Sequence, residues 1–319
     1  MENNRDFHIR KIRPGQDYLS ISNLIESCFH PYLDPDGKQF VNRLREIAQD
    51  GNQNRFLSFL NPMDLKLTGY VSLDDTGTIN GNVTLFPSRM MGSLGYLVAN
   101  VCVDEASRAQ GIGTALMQRA LTYAKNHHAS RVYLQVRSET TGALAMYQKL
   151  GFETDAVRTT WIRPRGSPKF STDGFFRTGV PNKKHQALFR QRLEEHYPPA
   201  VRWNLNESPS VFSFGLAAKL LRLFSNVDAD FWEFQDYSSG LLGWIAWQRT
   251  ENFTNTLWLV PAETCTDEQL VQMLRQTGDQ YININPLLVN CAQGWRPQVF
   301  KEAGFYKHGT LYWMSKTLP

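Results

Sequence analysis

Long apolar runs are missing from this chain. No stretch approaches the roughly 20 consecutive apolar residues that a membrane-spanning helix needs, so a membrane-embedded protein is excluded as a reading and no membrane partner is expected. The opening MENNRDFHIRKIRPG is polar and charged without an apolar segment. It is read as no secretory signal, and a cytoplasmic protein is expected. Cysteine is scarce. The four residues, Cys28, Cys102, Cys265 and Cys291, form no C-x-x-C pair and have no histidine at ligand spacing. Structural zinc, or any other metal site, is therefore not expected, and the thiols are read as reduced. Clusters of one charge sign are also lacking. The formal net charge is +4 over 319 residues, and the only basic doublet of note is Lys183-Lys184, which gives a nucleic-acid groove no support.

What is present suffices for ordinary globular cores: 42% of residues are hydrophobic and 12% aromatic. The length is more than one core comfortably holds, so two domains are expected. Phe7–Ile12 reads as a strand, followed by a helix from about Asp17 to Ser27. After the turn-forming HPYLDPDG comes a second helix carrying Phe40, Val41, Leu44 and Ile47. Leu65–Leu73, Ile79–Phe86 and Tyr96–Val103 are strand candidates, with Asp-Asp-Thr-Gly and Pro87-Ser88 as the turns between them. A helix from Gly113 to about His127, a strand at Val132–Val136, a short helix after Thr140 ending at Gly151 and a strand through Trp161 complete the first half. Antiparallel strands followed by a βαβ-like unit indicate a mixed-sheet α/β domain.

Residues 164–183 are rich in Pro, Gly and Ser and read as a linker between domains at 1–163 and 184–319. The second half repeats the end of the first. LQVRSETTGALAMYQKLGFE, from Leu134, aligns without a gap on LLVNCAQGWRPQVFKEAGFY, from Leu287, placing Tyr147 on Phe300 and Gly151-Phe152 on Gly304-Phe305. Upstream, Leu241–Gln248 and Thr256–Val260 read as strands, and a helix follows that is capped by Thr266 with Gln269. The aromatic residues Phe231, Trp232, Phe234, Trp244 and Trp247 read as strand core. His127-His128 reads as a solvated helix cap.

The most informative stretch is VANVCVDEASRAQGIGTAL. A strand ends at Val103, and Arg108-Ala109-Gln110-Gly111-Ile112-Gly113 then opens a helix. Glycines allow close backbone approach, the first helical turn presents free N–H groups, and Arg108 adds a positive charge, so the segment is an anion cradle suited to a pyrophosphate. A plain strand-to-helix turn would carry the same glycines. A dinucleotide fingerprint fails, because the third glycine and the acidic ribose ligand are missing. A phosphate loop fails for want of Gly-Lys-Ser/Thr.

Two motifs then stand in order: Val103, Arg108, Gly111 and Gly113 after one strand, and Leu134, Val136, Ala143, Tyr147, Lys149, Gly151 and Phe152 after the next. Together they resemble the GNAT acetyltransferase superfamily, strongly from about Phe7 to Trp161 and weakly from about Lys184 onward. The resemblance implies tandem GNAT-like domains, with the cofactor chemistry in the first. It implies acetyl-CoA as co-substrate and transfer of its acetyl group to a primary amine of a small molecule or peptide, by direct attack in a ternary complex. The other reading is an acyl-CoA sensor or scaffold without turnover. Backbone groups of Val101, Cys102 and Val103 would hold the pantetheine arm, and the segment Arg108, Ala109, Gln110, Gly111, Ile112, Gly113 and Thr114 the pyrophosphate. Tyr147 would serve as general acid to the leaving thiolate; packing on the core is its alternative role. Thr140 stands where relatives often carry a cofactor-binding Asn, and Leu97 is nearest to where many carry a basic Glu. Asn100 could hold a water that takes the amine's proton. Tyr32, Asp34 and Asp36 lie where the family builds its acceptor pocket, although Asp-Pro-Asp-Gly is also turn chemistry in its own right. In the second copy PAETCTDEQL replaces the cradle and Phe300 replaces the tyrosine, so that half is expected to be degenerate, shaping the acceptor site or pairing with a second chain.

Overall fold

A computed structural model describes residues 7–50, 66–90, 93–170, 176–202, 205, 211, 212, 214, 228–236, 240–250 and 254–319. The chain divides into two compact units. The first is Met1–Thr154 together with Trp313–Pro319, and the second is Asp155–Tyr312.

In the first unit, β1 (His8–Lys11), β2 (Thr68–Leu73), β3 (Ile79–Met90) and β4 (Ser93–Val103) form an antiparallel run. β5 (Arg131–Arg137) then adds in parallel beside β4. One face carries α1 (Tyr18–Phe29) and α2 (Pro35–Asp50), whose Ile21, Leu24, Ile25, Val41 and Leu44 bury against Ile12, Leu67, Val71 and Cys102. α3 (Ile112–Asn126) buries Ile112, Leu116, Met117, Ala120 and Ala124. It comes so close to β3 that a Cβ at Gly81 would meet Leu116 and Ile112 at 3.0 and 3.1 Å. α4 (Thr141–Lys149) follows β5. Each buried aliphatic side chain of this kind contributes about 1.5–3 kcal/mol. Chain-terminal residues complete the unit: Leu318 N donates to Ser130 O (2.9 Å), and Arg131 reaches Thr317 Oγ1 (3.3 Å).

Pro87-Ser88, expected as a turn, lies inside β3, with Pro87 opposite Tyr96. β2 stops at Thr68, opposite Leu85. Beyond Leu85, among the described residues, β3 has only β4 beside it, so the N–H that proline lacks can face the side where no described strand needs a ladder bond.

The second unit orders its strands β12–β6–β11–β10–β9–β8–β7. These are β6 (Glu153–Arg163), β7 (Phe176–Gly179), β8 (Ala229–Asp236), β9 (Gly240–Gln248), β10 (Asn255–Pro261), β11 (Leu287–Ala292) and β12 (Tyr306–Thr317). β12 passes into the first unit at Trp313, and β6 lies in the second from Asp155. Within the stretch expected to link the halves, residues 176–179 are β7, paired antiparallel with β8, and Phe170 N donates to Asp279 Oδ2 at 2.8 Å. Among its described residues the helices are α5 (Gln186–His196), the four-residue α6 (Pro199–Arg202), α7 (Asp267–Tyr281) and α8 (Pro297–Glu302). Trp161 stacks on Phe300 at 5.0 Å in a core with Phe234, Trp247, Leu257 and Val289. Thr266 and Gln269 form the expected capping box on α7. Among the described residues no helix is long and apolar enough to cross a membrane, and no His, Cys, Asp or Glu cluster could hold a metal.

One polar clasp orients the entry to α1. Arg10 makes two parallel bonds to Asp17, at 2.7 and 2.9 Å, and Arg13 N adds a third at 2.6 Å. Burial pushes the Asp17 carboxyl up, but these donors outweigh it and hold the group below its ordinary value. The clasp therefore contributes stability above about pH 4 that is lost as pH falls through the lower native value. Asp17→Asn is expected to lower unfolding free energy by about 1–2 kcal/mol at pH 7. In urea melts the difference from the unmodified chain should shrink as pH drops toward 3, and an equal difference at both pH values would refute the assignment.

Candidate active site

The site begins where a ladder ends. β4 and β5 pair only from Gly95↔Arg131 to Val98↔Leu134. Past that point β4 continues to Val103 and β5 to Arg137 without pairing to each other. On its other side, β4 slips register against β3 between Asn82↔Cys102 and Thr84↔Ala99. The slip is a bulge, with Asn100 at φ +52°. Asn82, fully buried, secures it by donating through Nδ2 to Asn100 O at 2.9 Å. Its Oδ1 is buried without a partner. Separation of β4 from β5 leaves the backbone of Val101, Cys102 and Val103 unpaired with β5, an edge open to an extended ligand.

The cradle follows directly. Asp104 accepts from Ala106 N (3.1 Å), shaping the turn, and Ala109 (φ +61°) and Gly111 (φ +97°) take left-handed conformations that redirect the chain into α3. No side chain caps α3, so its first N–H groups face outward with the positive end of the helix dipole. Arg108, Ala109, Gln110 and Gly111 are exposed, Gly113 and Thr114 half-buried, and Ile112 buried. Ile112 can thus offer only its backbone to a ligand. Arg108 Nε donates to Val103 O at 3.2 Å, which holds the guanidinium beside the end of β4.

Tyr147 is 5% exposed and stands edge-on to Phe152. Burial, then Cys102 nearby, push its phenol far above the ordinary value, so it keeps its proton throughout the physiological range. Thr140 opens α4 and donates through Oγ1 to Arg137 O at 2.8 Å, leaving the oxygen's lone pairs to accept.

The α1–α2 loop divides the expected acceptor residues. Asp34 accepts from Gly37 N at 2.7 Å and so caps α2, which is the turn chemistry of Asp-Pro-Asp-Gly. Asp36 sits in the first turn of α2. Tyr32 is 46% exposed, with the Arg137 guanidinium 4.4 Å above its ring and donating to its carbonyl oxygen at 3.1 Å. Arg137 and Asn82 went unnoticed in the sequence. Asn80, Asn82 and Thr84 do recur at strand period as a polar row in an apolar strand, and that was the available signal.

In the second unit the corresponding ladder also stops early: β10 and β11 pair only at Asn255↔Leu287 and Thr256↔Leu288. Here the opening is filled from within. Tyr197 Oη accepts from Leu259 N at 3.1 Å, beside a cavity of about 10 Å³ lined by His196, Tyr197, Leu259, Val289, Asn290, Cys291 and Trp295. That is room for about one water. The α7 N-terminus is closed by its capping box and carries Asp267 and Glu268 in its first turn.

Residues 20–152 match the model of the Acetyltransferase (GNAT) family. An uncharacterized N-acetyltransferase of Methanocaldococcus jannaschii is 41% identical over 66 residues, 21% of this chain and 29% of that protein. The N-alpha-acetyltransferase RimI of Mycobacterium tuberculosis is 29% identical over 102 residues, 32% of this chain and 63% of its own length. The chain thus spans less than two thirds of either relative. Among solved structures, a GCN5-related N-acetyltransferase from Sphaerobacter thermophilus superposes with TM-score 0.59 at 16% identity, covering 98% of this chain and 96% of the other. A tandem GNAT protein from the clavulanic acid biosynthesis pathway does so with TM-score 0.50 at 14% identity, covering 98% of both. At these identities the likeness is one of fold. Fold and motif order agree with the match of residues 20–152 to the Acetyltransferase (GNAT) family.

Proposed function

We propose that the first unit is an acetyl-CoA-dependent N-acetyltransferase and that the second is a degenerate GNAT-like copy that binds no cofactor. The observation that carries this reading is the juxtaposition of an unpaired β4 edge, opened at the Asn100 bulge, with the uncapped N-terminus of α3 and Arg108. An extended pantetheine arm would bond the backbone of Val101–Val103. Its pyrophosphate would lie against the N–H groups from Ala109 to Thr114, with Arg108 as counter-charge. No resident metal is needed in this arrangement. The work we assign is cytoplasmic.

In the transfer step the amine nitrogen bonds to the acetyl carbon, the carbon–sulfur bond breaks, and the amine loses a proton. Most of the rate would come from holding amine and thioester together. The state of Tyr147 refines its expected role. A phenol held this far up would give its proton to a thiolate of ordinary pKa, about 8.5, only uphill. Its contribution is therefore a hydrogen bond to the sulfur as negative charge develops there. The acceptor approaches from the side of Tyr32, Arg137 and the α1–α2 loop. Asp34 serves the helix it caps, and a water beside Asn100 would carry the amine's proton away.

The test is acetyl transfer from acetyl-CoA to a panel of small primary amines and peptide N-termini, with product read by mass. The unmodified chain should turn over at least one acceptor. Tyr147→Phe is expected to lower kcat by about 10- to 100-fold with little change in affinity for CoA. Arg108→Glu is expected to raise KM for acetyl-CoA by about tenfold or more, with a smaller effect on KM for the amine. CoA binding without transfer to any amine would contradict the enzyme and favour a sensor. A Tyr147→Phe variant of full activity would remove Tyr147 from the reaction.

A further inference from the structure

Two cysteines 74 positions apart in sequence are brought into one packed cluster at the edge of the cradle. Cys28, in the last turn of α1, is half-buried and packs against the cluster that contains Cys102, buried in β4. As a thiol, Cys28 Sγ donates to Val103 O at 3.4 Å, and Arg108 Nη2 lies 3.9 Å from the same sulfur. Ionising Cys28 gives up its bond to Val103 O, but Arg108 Nε already serves that oxygen at 3.2 Å. The thiolate would keep two donors, the Cys102 thiol first and the guanidinium second. Together they hold Cys28 below the ordinary thiol range against the opposing effect of burial. Cys102 is pushed the other way, by Cys28 and by burial, and stays a thiol. The thiols of the second unit offer a contrast: burial drives Cys265 up to about 11 and Cys291 up to about 12, which disfavours the thiolate at neutral pH.

We propose that Cys28 and Cys102 are a peroxide-oxidisable thiol pair built into the cradle, with Cys28 the sulfur attacked first and Cys102 the one that resolves it to a disulfide. The Cys28 thiolate attacks one peroxide oxygen and the O–O bond breaks. The departing hydroxide takes up a proton as water, leaving a sulfenic acid. The Cys102 sulfur then attacks Cys28 Sγ, and the hydroxyl leaves with the Cys102 proton as a second water. Two thiols lose two electrons in all, and one hydrogen peroxide is reduced to two waters.

Arg108 makes the pair responsive to occupancy of the site, and this part rests on the acyl-CoA reading. A phosphate on the guanidinium and the Cys28 thiolate draw on the same charge. Bound CoA should therefore leave Cys28 less ionised and slower to oxidise.

The experiment treats the full chain with equimolar hydrogen peroxide at pH 7. Remaining thiols are then alkylated under denaturing conditions, and the peptides are mapped by mass. A Cys28–Cys102 cross-link is expected, with Cys265 and Cys291 alkylated. Cys28→Ser should leave Cys102 as a thiol. Cys102→Ser should stop at a Cys28 sulfenic acid that dimedone traps. Oxidation of Cys28 without a cross-link in the unmodified chain, or equal oxidation of all four thiols, would overturn the pair. Saturating CoA should slow the cross-link severalfold, and an unchanged rate with CoA shown to be bound would overturn the shared use of Arg108. A chain that binds no CoA yet forms the cross-link would fail the acyl-CoA reading alone.

Discussion

Everything distinctive about the first unit depends on two strands ceasing to pair. β4 and β5 share a ladder for four residues, to Val98 and Leu134, and then run on without bonding each other. Buried backbone groups rarely tolerate such a gap, because each unpaired N–H or carbonyl costs about 1–3 kcal/mol when nothing replaces the lost partner. The bulge at Asn100 and the amide of Asn82 that fastens it fix the gap in place. A ligand that supplied the missing partners would recover that cost on binding, which is the physical basis for proposing the opening as the acyl-CoA site. Arg108 and the uncapped end of α3 stand directly after it in the chain and add what an anionic ligand requires.

The second unit has a comparable opening but fills it from within. β10 and β11 part after two paired residues, but the chain supplies its own plug in Tyr197, whose hydroxyl takes the N–H of Leu259. The helix that follows β10 begins with a satisfied capping box and two carboxylates, where the first unit presents free N–H groups and an arginine. A capped, acidic N-terminus repels the phosphates that an uncapped one attracts. The two openings thus differ in a few side chains at one helix end and one phenol.

Local chemistry was legible in the sequence, and long-range chemistry was not. Arg108, Gly111 and Gly113 lie within six residues of one another, and their meaning is carried by the turn they occupy. The same holds for Thr266 with Gln269 and for Asp34 with Gly37. Pro87 was misplaced because its tolerance depends on where a neighbouring strand stops. The bulge escaped notice because an asparagine at positive φ is held there by Asn82, eighteen positions away. Cys28 and Cys102 looked scattered, since only the packing of α1 on β4 brings them together. Nothing local in the sequence marks Tyr197, because its hydroxyl meets Leu259 N from 62 positions away.

Calorimetric titration of acetyl-CoA into the purified protein distinguishes an open first cradle from a closed second one. One site per chain is expected. Two sites would contradict the closed second cleft, and no binding would contradict the acyl-CoA site itself.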